Sequence, residues 1–124
     1  MSTITHIVLV GHCGFDAGSL RALAQSAAPN ATIITANDDA AFQQYATPTS
    51  LFLINRVLGG TFAIANGNDL IETLAKQSNS PRMLLISNYP DALAKAEASG
   101  ARPGFGKAQL HDPIATERIK AALH

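Results

Sequence analysis

Residues 6–10, His-Ile-Val-Leu-Val, running into Gly11-His12-Cys13-Gly14, decide how the rest of the chain folds. Four consecutive aliphatic or β-branched residues stopped by a glycine describe a short strand that is apolar on both faces, so both faces must be covered. Asp16 then stands where it can cap a helix whose apolar positions Leu20, Leu23, Ala24 and Ala27 keep helical spacing until Pro29 ends it. The same strand-loop-helix unit recurs along the chain. Residues 31–36 (Ala-Thr-Ile-Ile-Thr-Ala) form a second strand, and Asn37-Asp38-Asp39 opens a helix carrying Ala40, Ala41, Phe42 and Tyr45 that Pro48 closes. Residues 50–54 (Ser-Leu-Phe-Leu-Ile) are the most apolar strand and belong at the sheet centre. Asn66 or Asn68 caps the helix that follows, with Leu70, Ile71, Leu74 and Ala75 on one face.

A fourth strand spans 82–86, and a helix over 91–99 ends at Gly100, in the position of a C-terminal cap. The fifth strand lies within 102–108, where Pro103, Gly104 and Gly106 lower strand propensity and assign it to a sheet edge. Asp112-Pro113 is a strong helix start, with Ile114, Arg118, Ile119, Ala122 and Leu123 giving the last helix an amphipathic pattern. Five such units require an α/β fold with a doubly wound parallel sheet, helices on both faces.

The chain has 124 residues, room for one domain over 1–124 and one core. Nine Lys and Arg balance nine Asp and Glu, with net −1 over residues 1–62 and net +1 over residues 63–124. No basic field exists to hold a phosphate backbone, which argues against a nucleic-acid partner. One cysteine, Cys13, allows no internal disulfide, and the N-terminal stretch has neither a basic region nor a long apolar run. A cytoplasmic protein with no membrane contact is the expectation. In a sheet of this kind the functional crevice lies beyond the carboxyl ends of the strands. The residues to weigh there are Gly11, His12 and Cys13, Asn37, Asn55 and Arg56, Ser87 and Asn88, and Gly106 and Lys107.

HIVLV before the first loop, TANDDAAF at the second strand-helix junction, SLFLIN, and MLLISNY followed by AEASGARPGFGK occur in an order that resembles response-regulator receiver domains over nearly the whole chain. The resemblance implies a flavodoxin-like (βα)5 sheet, order 2-1-3-4-5. It also implies phosphorelay signal transduction in a two-component system, where an Asp after the third strand accepts a phosphoryl group and an acidic pair after the first strand holds Mg²⁺. Here the phosphoacceptor position falls on Asn55, and the acidic-pair positions fall on Gly11 and His12. Ser87 matches the hydroxyl after the fourth strand, and Lys107 matches the lysine near the fifth. The proline after that lysine is here Ala108, and the aromatic switch position falls on Gly104, with Phe105 beside it.

Phosphoryl transfer to a side chain needs an ionised oxygen nucleophile and a cation to neutralise the transferring group. Mg²⁺ wants hard carboxylate oxygens, which glycine and imidazole do not supply. With every acid of the pocket expected to be absent, Lys107 and Arg56 leave the crevice neutral to positive. The expectation is a pseudo-receiver: no enzyme, no metal and no cofactor, acting by contact with a protein partner or a second copy of itself. The resemblance places that contact on the helix over 91–99, the edge over 102–108 and the helix over 112–123.

Other readings stand beside this one. His12-Cys13 is half a metal site, or a polar loop. Cys13 in GHCGFDAGS resembles the phosphocysteine loop of phosphotransferase-system IIB proteins, which would make the chain a phosphocarrier or enzyme, although Ser19 stands where the C-x5-R phosphatase pattern needs Arg. The glycines of the first loop and of LGGTFAIANG match neither G-x-G-x-x-G nor Walker A. Ser87 with His12 lacks an acid to complete a triad. Arg56 and Lys107 together suggest a small-anion sensor. In the enlarged loop of residues 57–67, Leu58, Phe62 and Ile64 are either packing or an exposed patch.

Overall fold

The computed structural model describes residues 3–12 and 14–124, leaving aside the side chain of Phe15. Five strands, β1 (His6–Val10), β2 (Thr32–Ala36), β3 (Ser50–Asn55), β4 (Arg82–Ile86) and β5 (Arg102–Phe105), alternate with five helices. The helices are α1 (Gly14–Ala27), α2 (Asp39–Gln43), α3 (Gly67–Ala75), α4 (Pro90–Ala98) and α5 (Pro113–Ala122), and a single 3-10 turn, Lys107–Gln109, follows β5. All strand pairs are parallel and their order is β2-β1-β3-β4-β5. This is the flavodoxin-like arrangement of the receiver fold, with β3 at the centre and the glycine-bearing β5 at an edge.

Side chains alternate across the sheet with period two, which divides the core into two layers. Ile7, Leu9, Leu51, Leu53, Leu84, Ile86 and Phe105 face α1 and α5 and pack on Leu20, Ala24, Ala115 and Ile119. Val8, Val10, Phe52, Ile54, Met83 and Leu85 face the other way, onto Phe42, Leu70, Ile71, Leu74 and Ala96. Burying each of these larger side chains contributes roughly 1.5–3 kcal/mol, so the central strands hold the crevice on a rigid floor.

Helix ends depart from expectation in three places. α1 begins at Gly14, so Asp16 lies within its first turn rather than capping it. α2 is only five residues long and leaves Tyr45 beyond its end, where its ring meets that of His6 at 5.2 Å. Asp112 stands at the N-cap of α5 but its side chain makes no capping bond; Pro113 at the first helical position supplies the start. The other caps follow the sequence: Asp38 caps α2, Asn66 rather than Asn68 caps α3, and Gly100 has φ 114° after α4. Asn68 instead donates to the Ala92 carbonyl at 3.0 Å, tying α3 to α4.

Candidate functional site

Asn55 ends β3 opposite Ile86 of β4, at the carboxyl edge of the sheet. Its Nδ2 donates to the carbonyl of Gly11 at 3.1 Å and to that of Val57 at 2.8 Å. Both partners are acceptors, so the amide orientation is forced: only a nitrogen satisfies this position. A carboxylate in the same pose would face two carbonyl oxygens. The Asn55 side chain therefore serves as a clamp between the end of β1 and the segment after β3.

That segment, residues 57–67, folds back as a strap over the ends of β1 and β2. Gly59 donates to Gly11 O at 2.9 Å, Thr61 to Asn37 O at 2.8 Å, and Ala63 to Asp39 Oδ2 at 3.0 Å. The Phe62 ring lies 6.0 Å from that of Phe42, and Leu58, Phe62 and Ile64 are partly buried against the core. The packing reading of these three residues is the one the structure bears out. Leu58 also fills the space beside Gly11, where a Cβ would come within 2.7 Å of its Cδ2 and 3.0 Å of its Cα. Gly11 has φ 74°, a left-handed conformation that side chains disfavour.

His12 is 4% exposed, and its Nε2 bonds the Leu53 carbonyl at 2.8 Å. A carbonyl accepts only from N–H, which places the proton of the neutral ring on Nε2. Nδ1 has no hydrogen-bond partner among the described residues. Burial is the main cause that lowers the imidazole pKa from 6.5 to about 4; the charge of Lys107 lowers it too, while the Leu53 bond and Asp16 act against this. His12 is thus an uncharged, buried residue of the loop between β1 and α1 at neutral pH.

Lys107 reaches across from the start of the 3-10 turn to Asp16 of α1, Nζ to Oδ2 2.7 Å. The lysine thus has an acid partner that the sequence did not indicate, although Asp16 itself does not line the cavity around Asn55 and Ser87. Because α1 starts two residues before Asp16, the carboxylate points from its first turn toward β5 instead of folding back as a cap. Tyr89, which sequence reasoning passed over, receives Arg56: the guanidinium carbon lies 4.7 Å from its ring centroid. The only signal for it was an aromatic two residues after Ser87. Ser87 itself is buried, and its Oγ accepts the Tyr89 N–H at 3.1 Å. Asn55, Arg56, Ser87, Asn88, Tyr89 and Lys107 line one cavity of about 190 Å³.

On β5, a Cβ at Gly104 would come within 2.0 Å of the Leu85 carbonyl oxygen. No side chain fits there, and Phe105 is buried on the opposite layer, against α1 and α5. Neither residue matches an aromatic that swings between the crevice and the outer face. Ser87 and His12 bond separate backbone groups rather than each other, so they do not form a nucleophile-base pair. Cys13 lies outside the described residues, and with it both readings that depend on its thiol.

Gly11, His12 and Asn55, which the sequence resemblance matches to the acidic pair and the phosphoacceptor, do not fit Mg²⁺. Gly11 has no side-chain oxygen and its side-chain space is filled by Leu58, His12 commits Nε2 to a carbonyl, and Asn55 turns its nitrogen toward the Gly11 carbonyl. Among the described residues no group of three or more His, Cys, Asp or Glu converges as metal ligands, and no helix is long and apolar enough to cross a membrane.

No protein-family model matches the sequence, and no curated protein is significantly similar to it. The likeness lies in the fold. The signal receiver domain of a DNA-binding response regulator from Colwellia psychrerythraea 34H superposes with TM-score 0.71 at 16% identity, over 94% of this chain and 96% of that one. The receiver domain of NtrX from Brucella abortus gives TM-score 0.63 at 19% identity, over 95% and 97%. A response regulator from Burkholderia pseudomallei gives TM-score 0.63 at 19% identity, over 97% of this chain and 66% of that protein, whose crystal contains a phosphorylated aspartic acid, a calcium ion and citrate.

Proposed function

We propose that this receiver-fold chain is a cytoplasmic signalling module that acts through contact with a protein partner and is not phosphorylated at position 55. One observation carries the reading: the Asn55 amide donates to two backbone carbonyls, so the residue that would be the nucleophile is a structural donor. An amide nitrogen engaged in this way has no lone pair to attack phosphorus, and among the described residues the crevice has no cation cage to assist. The chain is accordingly not an enzyme in this reading. Signal passes by binding alone.

The partner face is that of α4, β5 and α5. Arg102, Pro103, Ile114, Glu117 and Arg118 line a shallow groove of about 340 Å³ there, and Arg102 and Glu117 are exposed. None of its charged groups has an ion-pair partner among the described residues. Such a mixed-charge, partly apolar face suits a protein surface, a second copy included, more than a lipid or nucleic acid.

Incubation with Mg²⁺ and acetyl phosphate or beryllofluoride tests the proposal. Intact mass should remain unphosphorylated and the amide resonances of Gly11, Asn55 and Ser87 should show no fluoride-complex shifts. A stoichiometric, base-labile acyl phosphate would overturn it.

A further inference from the structure

The five-residue α2 leaves a groove open against α3. Phe42, Leu70 and Leu74, each no more than 4% exposed, form its floor together with the half-buried Ile64 of the strap. The space above them is about 540 Å³, within the roughly 300–1,000 Å³ of sites that enclose small organic ligands. It shares no lining residue with the cavity around Asn55 and Ser87.

Asp39 is the one charged residue that lines this groove. Its Oδ2 accepts the Ala63 N–H at 3.0 Å, which fixes the carboxylate in place, while Oδ1 has no hydrogen-bond partner among the described residues. Nor has the carboxylate an ion-pair partner among them: Lys76, at the end of α3, pairs with Glu72 at 3.6 Å and does not line the groove. The wall therefore carries an uncompensated negative charge beside an apolar floor. The carboxamides of Gln43, Gln77 and Asn79 and the hydroxyl of Thr73 stand around it and offer further acceptors without adding charge. The sign of that charge disfavours an anion, and a single carboxylate is too few hard ligands for a divalent metal. What fits is a cation that also carries apolar surface.

We infer that the groove between α2 and α3 binds a small organic ammonium ion, its charged head on Asp39 Oδ1 and its apolar body on Phe42, Ile64, Leu70 and Leu74. The amide and hydroxyl rim accepts the remaining ammonium N–H groups. Ala63 and Ile64 belong to the strap that also covers Gly11, so filling the groove holds the strap against α2 and α3. The input is a free amine, at a place remote from position 55.

NMR titration of the full chain at constant ionic strength tests this with phenethylamine and isoamylamine, and with phenethyl alcohol and phenylacetate, which keep the aromatic body and change the head. Both amines should give saturable shifts at residues 39–43, 63–64 and 70–77. The alcohol should bind about tenfold more weakly, the loss of one charge-assisted contact, and phenylacetate should not bind. Asp39→Asn keeps an acceptor for the Ala63 N–H but removes the charge, so it should weaken the amines about tenfold and leave the alcohol unchanged. Thr73→Trp, at an exposed position on the rim, should block both by filling the groove. The absence of saturable shifts with either amine, equal binding of all three head groups, or amine affinity that survives Asp39→Asn in full overturns the site. None of these outcomes alters the reading of Asn55, which the acetyl phosphate experiment tests separately.

Discussion

Lys107 Nζ stands 2.7 Å from Asp16 Oδ2, joining the turn after β5 to the first turn of α1 across 91 residues of sequence. Both side chains are mostly shielded, at 33% and 20% exposure. Gly106 and Ala108 on either side of the lysine are fixed to Gln109 and Asn88. The ion pair thus makes the β5-α5 connection part of the crevice wall and gives the lysine a resident anion of its own.

The pair should be measurable as a coupling. Asp16→Asn and Lys107→Met, alone and together, form a double-mutant cycle that cancels whatever else each side chain touches. A coupling of about 1 kcal/mol is expected, falling as salt rises, because the pair is partly shielded rather than buried. Urea unfolding at low and high salt measures it; a coupling of zero would mean that the contact only marks where two flexible groups happen to meet.

His12 makes the fold acid-sensitive. Its imidazole binds a proton near pH 6.5 in the unfolded chain and only near 4 in the folded one, chiefly because burial penalises the charged ring. Between those values the unfolded chain holds more protons, so acid favours unfolding: stability is full above about 6.5, declines as pH falls, and levels off below about 4. The decline amounts to about 3 kcal/mol at most. His12→Gln keeps an N–H for the Leu53 carbonyl and should flatten this part of the profile in pH-dependent denaturation. An unchanged slope would assign the acid sensitivity elsewhere.

The strands and their central or edge rank were legible because a doubly covered strand must be apolar at successive positions, as 51–54 are, while Pro103 and Gly104 fit only an edge. The amide at 55 and the glycine at 11 were equally plain as departures from an acidic pocket. Asp16 was misplaced for a physical reason: whether an acid near a helix start caps it or faces outward depends on which residue begins the helix, and a shift of two residues turns its side chain toward Lys107. The burial of His12 was hidden too, since adjacent polar residues carry no periodicity from which a buried side chain is inferred. The strap was read as an enlarged loop whose Leu58, Phe62 and Ile64 either pack or stay exposed, and its course was not legible because its register is set by backbone bonds to Asn37 and Gly11 rather than by side-chain pattern.

Asn55→Asp should not restore a phosphoacceptor. The substitution removes two N–H bonds and sets an anion against the carbonyls of Gly11 and Val57. A loss on the order of 2 kcal/mol at neutral pH is expected. A protonated carboxyl recovers one donor, so the gap from the unsubstituted protein should narrow as pH falls through the carboxylate range. Denaturant titrations at several pH values check the stability, and acetyl phosphate with Mg²⁺ checks the chemistry. Efficient phosphorylation of the variant would show that the missing acidic pair is not the barrier argued here.

Gly11→Asp, which restores one acid of the pair, should be the more damaging change. Gly11 has φ 74°, and a Cβ there meets both the flexible end and the backbone of Leu58, at 2.7 and 3.0 Å. The residue cannot easily retreat, since its N–H bonds Ala36 O at 3.1 Å and its carbonyl accepts from Gly59 and Asn55. Left-handed strain and overpacking together should cost about 2–4 kcal/mol. Trimming the obstacle in Gly11→Asp/Leu58→Ala relieves the contact with Cδ2 but neither the backbone contact nor the dihedral, so the rescue should be partial. Gly14→Ala, where nothing lies within 4 Å of the added carbon, is the matched control and should leave stability unchanged or slightly raised. Thermal melts of the four proteins decide it: full stability in Gly11→Asp alone would show that the strap gives way, and that Leu58 does not close the acidic-pair position.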